Sequence, residues 1–207
     1  MFSVGLDDGS IYIFQHKTQS IFNTFSDYAK LKPHSARVMG LCVVYNTGSC
    51  YSCGSDKVFT VTDISNPQKR NEFIYKSNFG FTNLYHDIDN KRIFLTDEGG
   101  QIFVFVIAAT PPLQVMRMRT ISSGCIRGLY VDLKKELLFT ANTLGTISIV
   151  EMGMPGKESM MKEISNFGFK AKLRLISYDS ELNNLITGDQ QGNITIWSLR
   201  TGKSICT

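Results

Sequence analysis

With 207 residues, 43% of them hydrophobic and 19% charged, the chain has the composition of a folded globular protein, which excludes the disordered and collagen-like classes. Its formal charge of +4 comes from 22 basic and 18 acidic residues spread along the whole length, without the basic run that tracks a nucleic-acid backbone, so no nucleic-acid partner is read. No apolar stretch approaches the roughly 20 residues of a membrane-spanning helix, and Met1-Phe2-Ser3-Val4-Gly5 lacks the basic region of a secretory leader, so the chain reads as cytoplasmic.

In chain order, the first apolar segment is FSVGL, followed by the turn Asp7-Asp8-Gly9-Ser10 and an alternating strand from Ile11. The same turn-and-strand pattern returns in SDKVFTVTD (55 to 63), EGGQIFVFV (98 to 106), TLGTISIVE (143 to 151) and QQGNITIWS (190 to 198). Its anchoring apolar residues are Ile11, Phe59, Ile102, Ile147 and Ile194, at spacings of 48, 43, 45 and 47 residues. Each copy is preceded by another strand, and the last four also by a third that starts at Val38, Phe81, Ile126 and Leu173. Weaker strands lie between the copies: FNTF (22 to 25), EFIYK (72 to 76), LQVMRM (113 to 118), MKEISNF (161 to 167) and KSIC (203 to 206). Period-2 alternation with Gly, Asp and Asn turns is the local physics of hairpins.

Four strands recurring about every 45 residues is the signature of a β-propeller, because a lone four-stranded sheet has two apolar faces and buries them only between neighbouring blades. A β-sandwich shares the alternation but not the fixed period. The fold class expected is therefore all-β, with about five blades over residues 1–207: 2–25, 38–76, 81–119, 126–167 and 173–207. The first blade begins at its second strand and lacks its innermost one, and no exchange of strands that closes a ring is encoded. Such a set of blades is expected to be incomplete and to offer open blade ends for self-association.

The second copy carries His34, Ser52 and Asp56 at offsets of 18 and 22 from the histidine, and the fifth carries Thr187 and Trp197. On these residues the repeat resembles the WD40 family, whose blades are often pinned by a hydrogen-bonded His, Ser or Thr, Asp and Trp. Neither set is complete: the Trp position of the second copy is Thr62, and the fifth has Gln191 at its Asp position and Phe169 at its His position. The resemblance implies a structural network that satisfies buried polar groups, not a hydrolase triad, since no nucleophile elbow or oxyanion-hole motif accompanies it. Within the family, VGLDDGSI (4 to 11), PHSARV (33 to 38), SCGSDKVF (52 to 59), FTNLYHDIDNKRIFLTDEGGQI (81 to 102) and LRLISYDSELNNLITGDQQGNITIWSL (173 to 199) resemble the propeller part of WD-repeat and FYVE-domain proteins. The lipid-binding zinc module of those proteins is not in this sequence, so endosomal association is implied only for a longer parent that carries one.

Arg127 and Arg174 occupy the same position in successive repeats, one residue into the innermost strand, and are candidate contacts for an anion or an acidic partner. Cys50 and Cys53 form a single C-x-x-C with no second pair, so no metal site is read. The five cysteines suit reduced, buried thiols, with Cys42, Cys50, Cys53 and Cys125 in or beside apolar strands. The connection from Met152 to Met161 reads as a surface loop. The innermost strands contribute mainly apolar residues with Tyr45, Tyr85, Tyr130, Asp132 and Tyr178, a poor set for catalysis. The expected function is thus a non-catalytic scaffold for a protein or peptide partner, without a cofactor. The alternatives are a structural subunit whose open ends are covered in a larger assembly and, more remotely, a propeller enzyme.

Overall fold

The computed structural model describes residues 2–17, 24–64, 73–120, 122, 124–152, 160–164 and 172–207. The first sheet contains β1 Phe2–Gly5, β2 Ile11–Lys17 and β3 Thr24–Leu31; the second contains β4 Val38–Val44, β5 Ser49–Gly54, β6 Val58–Asp63 and β7 Phe73–Lys76. The third is built from β8 Phe81–Asp87, β9 Arg92–Asp97, β10 Gln101–Val106 and β11 Leu113–Arg119. The fourth holds β12 Ile126–Asp132, β13 Leu137–Asn142, β14 Ile147–Glu151 and β15 Met160–Ile164, and the fifth β16 Leu173–Asp179, β17 Asn184–Asp189, β18 Ile194–Ser198 and β19 Ser204–Cys206. Every sheet is a meander in which each strand pairs with its neighbours in sequence, so all hairpins are local. By contact density the chain divides into two compact units, Met1–Leu95 with Phe105–Val115, and Thr96–Val104 with Met116–Thr207.

In the first unit, Ile11, Ile13, Ala29 and Leu31 of the first sheet pack with Val38, Leu41, Val43 and Cys50 of the second. Ile11 and Ile13 are fully buried, and burying a side chain of that size contributes about 1.5–3 kcal/mol. On the other face Phe2 stacks on Phe14 and meets Phe25 edge-on, with Phe2 and Phe25 exposed. The second and third sheets approach closely where β4 crosses β8. A Cβ at Gly40 would lie 2.5 Å from the Leu84 Cβ and 2.9 Å from the Leu84 nitrogen, so the glycine of VMGL is a packing requirement. In the second unit, Phe139, Ala141 and Ile147 pack against Leu173, Ile176 and Leu185, and Tyr178 stacks on Phe139 at 4.6 Å.

The outer strand of the first sheet runs to Leu31, well past the residue 25 expected from alternation. A register shift between Ile13 and Phe14 leaves Tyr28 unpaired, with Ile13 opposite Ala29 and Phe14 opposite Asp27. That extra residue breaks the period-2 pattern in the sequence while pairing continues. The start of FNTF, Glu72 of EFIYK, the end of MKEISNF and residues 153–159 of the expected surface loop lie outside the described residues.

Register shifts of the same kind recur at the start of innermost strands, between Val38 and Gly40, Ile126 and Gly128, and Leu173 and Leu175. Met39, Arg127 and Arg174 are the residues skipped. A bulge re-aims the side chain of the skipped residue away from the regular pleat, and in the fourth and fifth sheets that residue is arginine.

Candidate functional site

His34 sits on the chain leading into β4, Ser52 on β5 and Asp56 in the β5–β6 turn. Folding brings the three together. His34 Nδ1 lies 3.0 and 3.1 Å from the two Asp56 carboxylate oxygens, and Nε2 lies 2.9 Å from Ser52 Oγ. Asp56 also accepts the backbone N–H groups of Ser35 at 3.0 Å and Val58 at 3.2 Å. Burial holds the His34 imidazole below its usual pKa, with Asp56 pulling the other way. In the neutral ring Nδ1–H donates to Asp56, and Nε2 accepts the Ser52 hydroxyl proton. Ser52 is 0% exposed, so its hydroxyl meets no substrate; the geometry links a loop, a strand and a turn instead.

In the fifth sheet, Trp197 Nε1–H donates to Thr187 Oγ1 at 2.9 Å, and the Thr187 hydroxyl donates to the Thr195 carbonyl at 3.4 Å. Phe169 lies outside the described residues. Gln191 does not act as an Asp would: it is exposed, and its backbone N–H donates to Asp189.

Asp189 belongs to a set that sequence reasoning missed. Its carboxylate accepts the backbone N–H groups of Gln191 and Asn193 and the Asn193 side-chain amide, at 2.8, 3.0 and 2.9 Å. Asp97 does the same for Gly99 and Gln101, and the Asn142 amide oxygen accepts Leu144 and Thr146. The signal was available: each is an Asp or Asn three residues before a left-handed glycine, namely Gly100, Gly145 and Gly192 with φ of 78, 79 and 89°. These turns close by a local cap, whereas the second sheet uses the long-range histidine pin. The equivalent of that glycine in the second sheet is Lys57, at φ 69°. A non-glycine residue there costs roughly 1–2 kcal/mol, so Lys57→Gly is expected to raise stability by about 0.5–1 kcal/mol after the added chain entropy is offset. An unchanged or lowered urea midpoint would count against strain at this turn.

Arg127 and Arg174 are each the second residue of an innermost strand, on β12 and β16. Arg127 lies 3.5 Å from Glu98 and beside the Cys125 thiol, and its buried Nε has no hydrogen-bond partner among the described residues. Arg174 is exposed, and among the described residues it has no ion pair. Folding does not join the two guanidiniums directly; it repeats one placement in adjacent sheets.

Cys50 and Cys53 do not form a ligand pair. Cys50 packs toward the first sheet, and Cys53 points at the Asn83 carbonyl of the third. Burial pushes the Cys50 thiol up to about 12 and raises Cys53 as well, which keeps both protonated. All five cysteines are free; Cys42 and Cys125 are half-buried rather than buried, and Cys206 is exposed. Among the described residues, no group of three or more His, Cys, Asp or Glu side chains is placed to hold a metal ion, and no helix is long and apolar enough to cross a membrane.

No family model matches the chain, and no curated protein matches it. Solved structures do. A chain in the crystal structure of the mitotic checkpoint complex aligns over 95% of this chain with a TM-score of 0.73 at 15% identity. Sqt1 from Saccharomyces cerevisiae aligns over 98% with a TM-score of 0.75 at 13% identity. The chain spans 58% and 56% of those two proteins' chains. At such identities the likeness establishes the fold: an all-β, WD40-type propeller architecture, with one three-stranded and four four-stranded sheets among the described residues.

Proposed function

We propose that this chain is a non-catalytic scaffold that holds an acidic protein or peptide segment where the innermost strands begin, with Arg127 and Arg174 as its contacts. The observation that carries this reading is the bulge at the second residue of β12 and β16, which turns both arginines out of the regular pleat. The buried Nε–H of Arg127 lacks an acceptor among the described residues. An unmet buried donor costs about 1–3 kcal/mol, and a carboxylate bound in the planar fork of the guanidinium would remove that cost.

A non-catalytic role is supported by the ties on the polar groups that a propeller enzyme would need. Ser52 is sealed under His34, and the Tyr178 hydroxyl donates to Asn183 and accepts from Lys135. The segment resemblances to WD-repeat and FYVE-domain proteins favour a cytoplasmic adaptor of endosomes or membrane trafficking. A cysteine-rich zinc module in the parent reading frame would support that finer reading, and a full frame without one would remove its basis.

The scaffold reading is tested by selecting binders from a random peptide display library. Peptides selected on the wild-type chain are expected to be rich in Asp and Glu and to weaken as salt rises. They are expected to lose about tenfold or more in affinity to the R127E/R174E double variant. Selected peptides without acidic bias, or affinities untouched by the double reversal, would contradict it.

A further inference from the structure

We infer that Cys42 and His86 form a reactive-thiol site at which Cys42 takes up small-molecule disulfides, with His86 as the base. Cys42 lies on β4 and His86 on β8, 44 positions apart, and folding brings Sγ to 3.0 Å from Nδ1. A nucleophile within hydrogen-bond reach of a base is the arrangement that activates thiols. Both side chains are half-buried, so a small reagent reaches them, whereas Cys50 and Cys53 are 0% exposed.

The repeat does not account for this pair. The position of Cys42 is taken by Tyr85, Tyr130 and Ser177 in the next three innermost strands, and that of His86 by Val43, Val131 and Tyr178 in the other three. Thiol and imidazole meet at one junction between sheets, where a blade contact needs only apolar packing.

The surroundings keep both partners neutral. Burial pushes the Cys42 thiol up to about 11 and the His86 imidazole below its usual range. Asp87, next to His86, is committed to Arg92 and Asn90, while Tyr45 and Cys50 are the other titratable groups near Cys42. At neutral pH the S–H therefore donates to a free imidazole lone pair. In the reaction, Sγ attacks one sulfur of the disulfide and a new Sγ–S bond forms as the reagent's S–S bond breaks. The Sγ proton passes to Nδ1, and the departing thiolate takes it back from the imidazolium. Cys42 is oxidised to a mixed disulfide, and the reagent is reduced to one equivalent of thiol.

The test uses oxidised glutathione on the native full chain, with each cysteine followed by peptide mass mapping. Cys42 is expected to react ahead of Cys50, Cys53 and Cys125, and His86→Asn to slow it at least tenfold, in line with the usual contribution of a general base. A pH profile supplies a readout that packing alone would not move. With His86 as base, the Cys42 rate stays nearly flat from about pH 7.5 to 6.5, while that of a small-molecule thiol under the same conditions falls about tenfold per pH unit. The wild-type profile decides the matter even if His86→Asn fails to fold. A Cys42 rate that falls in parallel with the small-molecule thiol, or no modification of Cys42 in the native chain, overturns the inference.

Discussion

His34→Ala is expected to destabilise the chain by about 3 kcal/mol. The imidazole is 0% exposed and joins Ser52, itself 0% exposed, to Asp56. Removing it leaves a buried hydroxyl and a largely buried carboxylate without their partner, each at about 1–3 kcal/mol, partly relieved because Asp56 keeps two backbone N–H donors. Ser52→Ala, which removes one bond and leaves the carboxylate bonded, is expected to cost about 1–2 kcal/mol. Urea midpoints at constant m-value report both; a His34→Ala loss below 1 kcal/mol would mean that the network is incidental to the fold.

The same histidine links stability to pH. Its pKa in the fold is below the unfolded value of 6.5, chiefly through burial. Between the two values the unfolded chain binds the proton and the folded chain does not, so stability rises with pH through this window. The contribution is fully present above about pH 6.5 and is lost as pH falls through the folded pKa. His86 shifts in the same direction, so His34→Ala is expected to flatten the acid limb of the stability profile in part, not to abolish it.

Gly9→Ala is expected to cost about 3 kcal/mol or more, although the residue lies in an exposed hairpin turn by sequence. Gly9 adopts φ 87°, and a Cβ there would lie 2.1 Å from the His34 carbonyl oxygen and 2.6 Å from its carbon. Backbone at that distance cannot yield as a side-chain tip does, so the chain carrying His34 into β4 must shift, and the pin to Ser52 and Asp56 shifts with it. Gly192 is the internal control: it has φ 89° in the corresponding turn of the fifth sheet, with nothing within 4 Å of an added Cβ. Gly192→Ala therefore meets backbone strain alone, roughly 1–2 kcal/mol. Equal losses for the two variants would show that conformation, not the contact with His34, sets the cost at Gly9.

How much of this was legible depended on the distance over which each feature is encoded. The meander of hairpins was legible because alternation and turn residues act within a few positions, and the repeat multiplied a weak signal five times. The grouping of His34, Ser52 and Asp56 was legible because its spacing resembles that of WD40 blades. The caps of Asp97, Asn142 and Asp189 are equally local, but the WD40-like pattern puts the acidic residue two positions later, where the chain has Gly99, Leu144 and Gln191. The bulge in β3 hid six residues of strand, since one unpaired residue inverts the alternation on which the pattern rests.

By itself, then, the sequence determined the all-β class, the period and the order of strands, because each follows from steric and hydrophobic preferences within one hairpin. Only the tertiary structure decided which side chains meet between sheets. The turn at Gly9 reaches the backbone of His34, the bulges free Arg127 and Arg174 from the pleat, and the tight crossing at Gly40 sets β4 against β8 so that Cys42 finds His86. Those meetings depend on the offset of one sheet against the next, which packing fixes and no local pattern of residues records.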